Sequence, residues 1–233
     1  GTRGCTLCPA RPGFRFDLYT SMGNVPKAVE IASYGHSGYL IPGMSDVMPR
    51  ALDLVDPDSH DAGNILANYG YALGATGDGL DSGLAALERA LAISKHENDK
   101  VLEARTQANM ANVYGFHLHW EKCLNAGSRA IELCMALDDF QSEMRARIWV
   151  ATAFIANGDP EQASFHSEHM LELAERRRDR PWLSRTFQRV LIVEVARGDW
   201  NSARAVCRRY PFGLAISATM LIALWSVMQT SVT

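Results

Sequence analysis

Features that mark common enzyme and export classes are scarce in this sequence. The 233 residues hold five cysteines, at 5, 8, 123, 134 and 207, and three of them fall inside helical patterns. An odd number placed this way fits a reducing compartment better than a disulfide framework. Cys5-x-x-Cys8 has no second such pair and no nearby histidine pair, which argues against structural zinc. Between Gly1 and Pro12 there is no apolar leader, and the chain does not begin with methionine. It therefore reads as a cytoplasmic fragment of a longer protein. No glycine-rich run is followed by Lys-Ser or Lys-Thr, so a phosphate loop is not expected. A net charge of only −3 gives no global attraction to nucleic acid or anionic membrane.

What is present is a soluble composition, 47% apolar and 21% charged, and a period. The pair Gly-Asp occurs at Gly77-Asp78, Gly158-Asp159 and Gly198-Asp199, and Leu118-His119 stands where the missing copy belongs, giving steps of 41, 40 and 40 residues. Seven residues before the markers come Gly70, Ala111, Ala151 and Leu191; five after the last three come Cys123, Ala163 and Ala203. Small side chains at fixed offsets let two helices approach closely. Each unit reads as helix, tight turn, helix. In the best-formed turn Gly158 supplies positive φ, Asp159 caps the next helix, Pro160 takes its first position and Gln162 completes a capping-box spacing. The repeated Gly-Asp is helix punctuation.

These residues resemble the tetratricopeptide repeat (TPR), with the small position (Gly70, Ala111, Ala151) followed three residues later by Leu73, Tyr114 and Phe154. The unit is about 40 residues rather than the usual 34 or so, so its helices must be longer. Long units of this kind are similar to the arrays of bacterial signalling ATPases and maltose-activator-type (LuxR-family) transcription regulators. "DLYTSMGNVPKAVEIA" and "ALERALAIS…LEARTQANMANVYG" carry that likeness. The resemblance implies an all-α, right-handed solenoid of TPR-like repeats. We expect a disordered tail over 1–12 and an array over 13–210, with units near 13–34, 59–99, 100–139, 140–179 and 180–210. A loop-rich insertion is expected over 34–58, and the first helix of a truncated further unit over 211–233.

The chemistry-bearing residues are few. His166-Ser-Glu-His169 is an i, i+3 pair, whereas a helical metalloprotease motif needs i, i+4, so a polar helix face is the simpler reading and a metal-dependent hydrolase the more distant one. His117 and His119 read as turn residues. Arg105, Arg145 and Arg185 recur at 40 residues, with Asn64 in the matching slot of the earlier unit. In TPR arrays the first helices line the concave groove, which puts these residues, with Asn68, Tyr71, Asn109 and Asn112 on neighbouring turns, in reach of a partner. Guanidinium forks and amides suit a carboxylate or an extended backbone. The lysines of carboxylate-clamp arrays are absent. Glu103 and Glu143 also recur at 40 residues, so local pairing with the arginines is the competing reading.

Ten arginines between Arg176 and Arg209 form a basic block without a base-reading motif, which reads as a solvated or docking face with no direct nucleic-acid partner. From Pro211 to Thr233 no residue is charged. We read the apolar part, 212–228, as a repeat helix whose uncapped face can self-associate, in preference to a membrane anchor. The expected function is a non-enzymatic protein-interaction scaffold, the sensor or interaction segment of a larger bacterial signalling or transcription-regulating protein, with a protein or peptide segment in the groove and no cofactor or metal. A small-ligand-sensing repeat domain is the alternative.

Overall fold

Along the chain, apolar residues recur at three- and four-residue intervals, and the resulting stripes have become helices. A computed structural model describes residues 12–33, 43–76 and 78–209. Residues 1–11 of the expected tail, Gly77 of the first marker, residues 34–42 of the insertion and the stretch 210–233 lie outside the described residues. Among the described residues there are eleven helices: α1 (Pro12–Ser21), α2 (Val25–Ser33), α3 (Met44–Leu52), α4 (His60–Gly74), α5 (Leu80–His96), α6 (Lys100–Phe116), α7 (Trp120–Leu137), α8 (Phe140–Ala156), α9 (Pro160–Arg177), α10 (Arg180–Ala196) and α11 (Trp200–Arg209). None of the described helices is long and apolar enough to cross a membrane.

From α4 onward the helices pack as hairpins, α4 on α5, α6 on α7, α8 on α9 and α10 on α11. Each second helix also rests on the first helix of the next unit, and α4, α6, α8 and α10 form a row in contact with one another. The result is a helical solenoid in which each unit buries its apolar stripe against its neighbours. The core is correspondingly segmented: Leu87, Ala111, Val113, Cys123 and Ala153 join three successive units in one cluster, and Phe140, Met144, Met170 and Trp182 join the last of these to the next.

The periodic small residues sit where backbones meet. Ala111, Ala151, Cys123 and Ala163 are fully buried. A Cβ on Gly70 would stand 2.7 Å from the Gly83 carbonyl oxygen, so α4 and α5 meet at a distance only glycine allows.

Two series of left-handed residues mark the turns. Leu118, Gly158 and Gly198 have φ of 61°, 76° and 74° within units, and Asn98, Asp138 and Arg178 have 52°, 53° and 53° between them. Asp99, Asp139 and Asp179 follow the second series as N-caps of α6, α8 and α10, each carboxylate accepting from backbone N–H groups of the first turn. Leu118 occupies the slot that glycine holds in the next two units, and a branched side chain there costs about 1–2 kcal/mol. Leu118→Gly is therefore expected to raise stability by about 0.5–1 kcal/mol after the extra freedom of the unfolded chain is deducted. An unchanged or lower urea midpoint would refute that assignment of strain.

The expected loop-rich insertion over 34–58 contains a helix, α3. Its cause is an apolar stripe that the surrounding glycines and prolines obscure: Met44, Val47, Met48 and Ala51 are all buried. They pack with Phe16, Ala28, Val29 and Ile65, which ties α1 and α2 to the start of α4. Pro49 lies inside α3 without ending it.

Candidate groove site

The recurrent arginines take equivalent positions on α6, α8 and α10, the row of first helices. Asn64 on α4 accepts a hydrogen bond from Arg105 Nη1 at 2.7 Å, and Asn109 on α6 accepts one from Arg145 Nη1. Arg105 and Arg145 are thus each held by an amide of the preceding unit. Arg145 is 8% exposed and its guanidinium carbon lies 5.8 Å from the centroid of the Tyr71 ring. Burial pushes Arg145 below the usual arginine range; Tyr71 opposes this, while the charges of Arg105 and Arg185 add to it. Arg185 sits over the ring of Trp182, at 4.9 Å.

Arg105 and Arg145 open into a cavity of about 600 Å³. Among the described residues its lining comes from four helices: Val29, Glu30 and Ser33 of α2, Asp61 of α4, Arg105 of α6, and Gln141, Ser142 and Arg145 of α8, with the cap residue Asp139. No carboxylate of the described residues lies within ion-pair distance of Arg105, whose partner is the neutral Asn64.

The remaining sequence-derived candidates stand behind this surface. Asn68 donates to the Ser33 carbonyl at 3.0 Å, and Asn109, fully buried, donates to the Ala67 carbonyl at 2.8 Å. These amides fasten α4 to α2 and α6 to α4. Asn112 is 5% exposed, and its Oδ1 has no hydrogen-bond partner among the described residues. Tyr71 is half-buried beneath Arg145.

The glutamates at 103 and 143 turn away from the arginine row. Glu103 takes Arg129 of α7 at 2.9 Å and Lys100 at 2.8 Å. Burial raises the Glu103 carboxyl, but hydrogen bonds from Lys100 and Arg129 outweigh it and leave the group below its ordinary value. In the next unit Glu143 takes Arg147 at 2.7 Å and His169 of α9 at 3.3 Å. Arg129 and His169 are 40 residues apart, so one first-helix to second-helix clamp recurs with a different partner side chain.

His166 and His169, expected on a solvated face, are half-buried between α8 and α9. Their cause is Arg147, an arginine with no counterpart in the neighbouring units, whose Nη1 lies 3.1 Å from His166 Nδ1. Phe154 stacks on the His166 ring at 5.6 Å. Burial and the adjacent Arg147 and His169 push His166 down to about 4, so at neutral pH the ring is uncharged and its Nδ1 accepts from Arg147. Among the described residues no group of three or more His, Cys, Asp or Glu side chains is placed to hold a metal ion.

Burial pushes the Cys123 and Cys134 thiols up to about 12, which suits packing residues. Three arginines of the basic block are engaged with carboxylates of earlier segments: Arg177 with Asp138, Arg197 with Glu161 and Arg209 with Glu175. Arg189 is half-buried, and desolvation takes it down to about 10. The block is not a continuous cationic face.

No family model and no curated protein matches the sequence. Solved structures do. Two crystal structures of the nearly identical TPR-like repeats of a kinesin-light-chain-type protein from Podosopora anserina are similar to this chain. One of them, a form carrying a single substitution, gives a TM-score of 0.57 at 15% identity over 86% of this chain and 91% of that one. The other gives 0.53 at 15% identity over 97% and 98%. With the hairpin row described above, these similarities establish the fold: the chain is an all-helical array of TPR-like repeats.

Proposed function

We propose that this chain is a non-catalytic protein-interaction module whose groove holds an extended segment of a partner protein. The observation that carries the reading is Arg105, positioned by the neutral amide of Asn64 instead of a carboxylate where it opens, beside Arg145, into the cavity between α2 and α8. Charge that is oriented by a neutral group favours an anionic or hydrogen-bonding ligand. A role as the interaction or sensor segment of a larger bacterial signalling or transcription-regulating protein, acting in the cytoplasm, agrees with this reading. Asn64 and Tyr71 support the contact residues Arg105 and Arg145; Asn68, Asn109 and Asn112 act from behind, and Arg185 extends the row.

The test uses fluorescence anisotropy with a labelled pool of acidic, extended peptides. Arg105→Gln is expected to weaken binding about tenfold, the loss of one charge-assisted hydrogen bond. Unchanged affinity in Arg105→Gln and in Arg145→Lys would overturn the proposal. Small-ligand sensing is the second reading, favoured by the cavity volume, which lies in the range of roughly 300–1,000 Å³ typical of such sites. Thermal stabilisation by small metabolite-like anions without peptide binding would select it.

A further inference from the structure

We infer that the cavity selects a peptide segment carrying charges of both signs, resting on the groove reading above. Its lining carries both signs. Arg105 and Arg145 supply guanidinium groups from α6 and α8, while Glu30 of α2, Asp61 of α4 and the cap residue Asp139 beside Arg145 supply carboxylates. Arg145 is lowered chiefly by its burial, with Tyr71 and Asp139 opposing this and Arg105 and Arg185 adding to it, so an incoming carboxylate supports a charge that burial disfavours. Asp61 has no ion-pair or hydrogen-bond partner among the described residues, and Glu30 has only the exposed Lys27 at 2.6 Å. An ammonium or guanidinium entering beside Asp61 meets negative charge that the fold has not neutralised, while Glu30 is already paired with Lys27.

A purely acidic segment would satisfy the arginines and then face Glu30, Asp61 and Asp139 with like charge. A purely basic one would meet Arg105 and Arg145. One acidic and one basic side chain on a single extended strand answers both the guanidinium groups and the carboxylates. The backbone between them finds the Ser142 hydroxyl and the Gln141 side chain, both lining the cavity. Ser33 Oγ, also on the lining, is buried without a hydrogen-bond partner among the described residues and offers one more polar contact. The basic group does not need full burial, since Glu30 and Asp61 are exposed; its selection is electrostatic and weakens with salt.

The experiment titrates the whole chain with blocked alanine-based peptides that carry one lysine and one glutamate, with the spacing between them varied. Controls replace either charge by glutamine. At the best spacing the two-charge peptide is expected to bind about tenfold more tightly than either control. Asp61→Asn should abolish the advantage conferred by lysine and leave that conferred by glutamate; Arg105→Gln should do the reverse. Circular dichroism of both variants establishes that the fold is kept. If glutamate-only peptides bind as tightly as two-charge ones at every spacing, or if Asp61→Asn weakens all peptides equally, the two-charge inference is overturned and the groove reading survives. If no member of the series binds, both fall.

Discussion

Truncating Arg147 to alanine is expected to lower the stability of the array by about 3–5 kcal/mol, the usual cost of removing one partner of a buried ion pair. The Arg147 side chain is 3% exposed and that of Glu143 7%, and they meet at 2.7 Å on successive turns of α8. The guanidinium also reaches His166 Nδ1 at 3.1 Å and Met135 sulfur at 3.5 Å. Without it, Glu143 is left buried with the His169 imidazole at 3.3 Å as its remaining contact of this kind. The attraction within the pair roughly offsets what its desolvation costs, so the damage comes from the orphaned carboxylate. The double variant Glu143→Leu, Arg147→Met, which leaves no charge behind, should therefore lose far less than Arg147→Ala alone. Urea denaturation followed by circular dichroism compares the two. If the double variant is as unstable as the single one, the loss lies in packing and the electrostatic explanation fails.

The second large effect is at Trp182. It is 1% exposed at the start of α10, meets Phe140 edge-on at 6.3 Å and donates its indole N–H to Gln141 Oε1 at 2.8 Å. Trp182→Ala removes the largest side chain joining the last two described units, and about 3–5 kcal/mol of stability should go with it. Since coupling in a repeat array runs between neighbours, the loss is confined to the boundary between the α8–α9 hairpin and α10. The α10–α11 hairpin should then melt separately, giving two steps in the helical signal where the parent is expected to show one. Gln141→Ala, which only unpairs the indole, should cost about 1 kcal/mol. A single unshifted transition in Trp182→Ala would show that α10 is held by something else.

The sequence pattern exposes the array because its repeats are made of short-range decisions. Glycine or its substitute at the turn, aspartate at the cap and a small residue at the close approach each act within a few positions, and a period makes them visible. The cap series Asp99, Asp139 and Asp179 has the same spacing and is as open to reading as the Gly-Asp pairs. Helix α3 is obscured because flanking Gly43 and internal Pro49 outweigh a stripe only four residues long. The site is legible in part. Spacing puts Arg105 and Arg145 on one face, but that Asn109 turns inward to the Ala67 carbonyl depends on how α6 meets α4. Likewise the partner of Glu143 proves to be Arg147, one turn away, rather than Arg145, two positions away, because residues two apart on a helix do not face each other. Of the cavity's carboxylates only Asp139 shares the arginines' period; Glu30 and Asp61 come to them only through the stacking of α2 and α4 beside α6 and α8.

The matching backbone torsions at Asn98 and Asp138, each followed by an aspartate cap, make the two boundaries of the α6–α7 hairpin interchangeable splice points. Excising residues 100–139 would join Asp99 to Phe140 through a turn the chain already uses, so the array can shorten or lengthen by whole units without re-engineering a joint. The cavity has no such freedom. It needs α2, α4, α6 and α8 together, and losing α6 would remove Arg105 and draw its remaining walls out of register. The scaffold is modular, while its recognition site is indivisible.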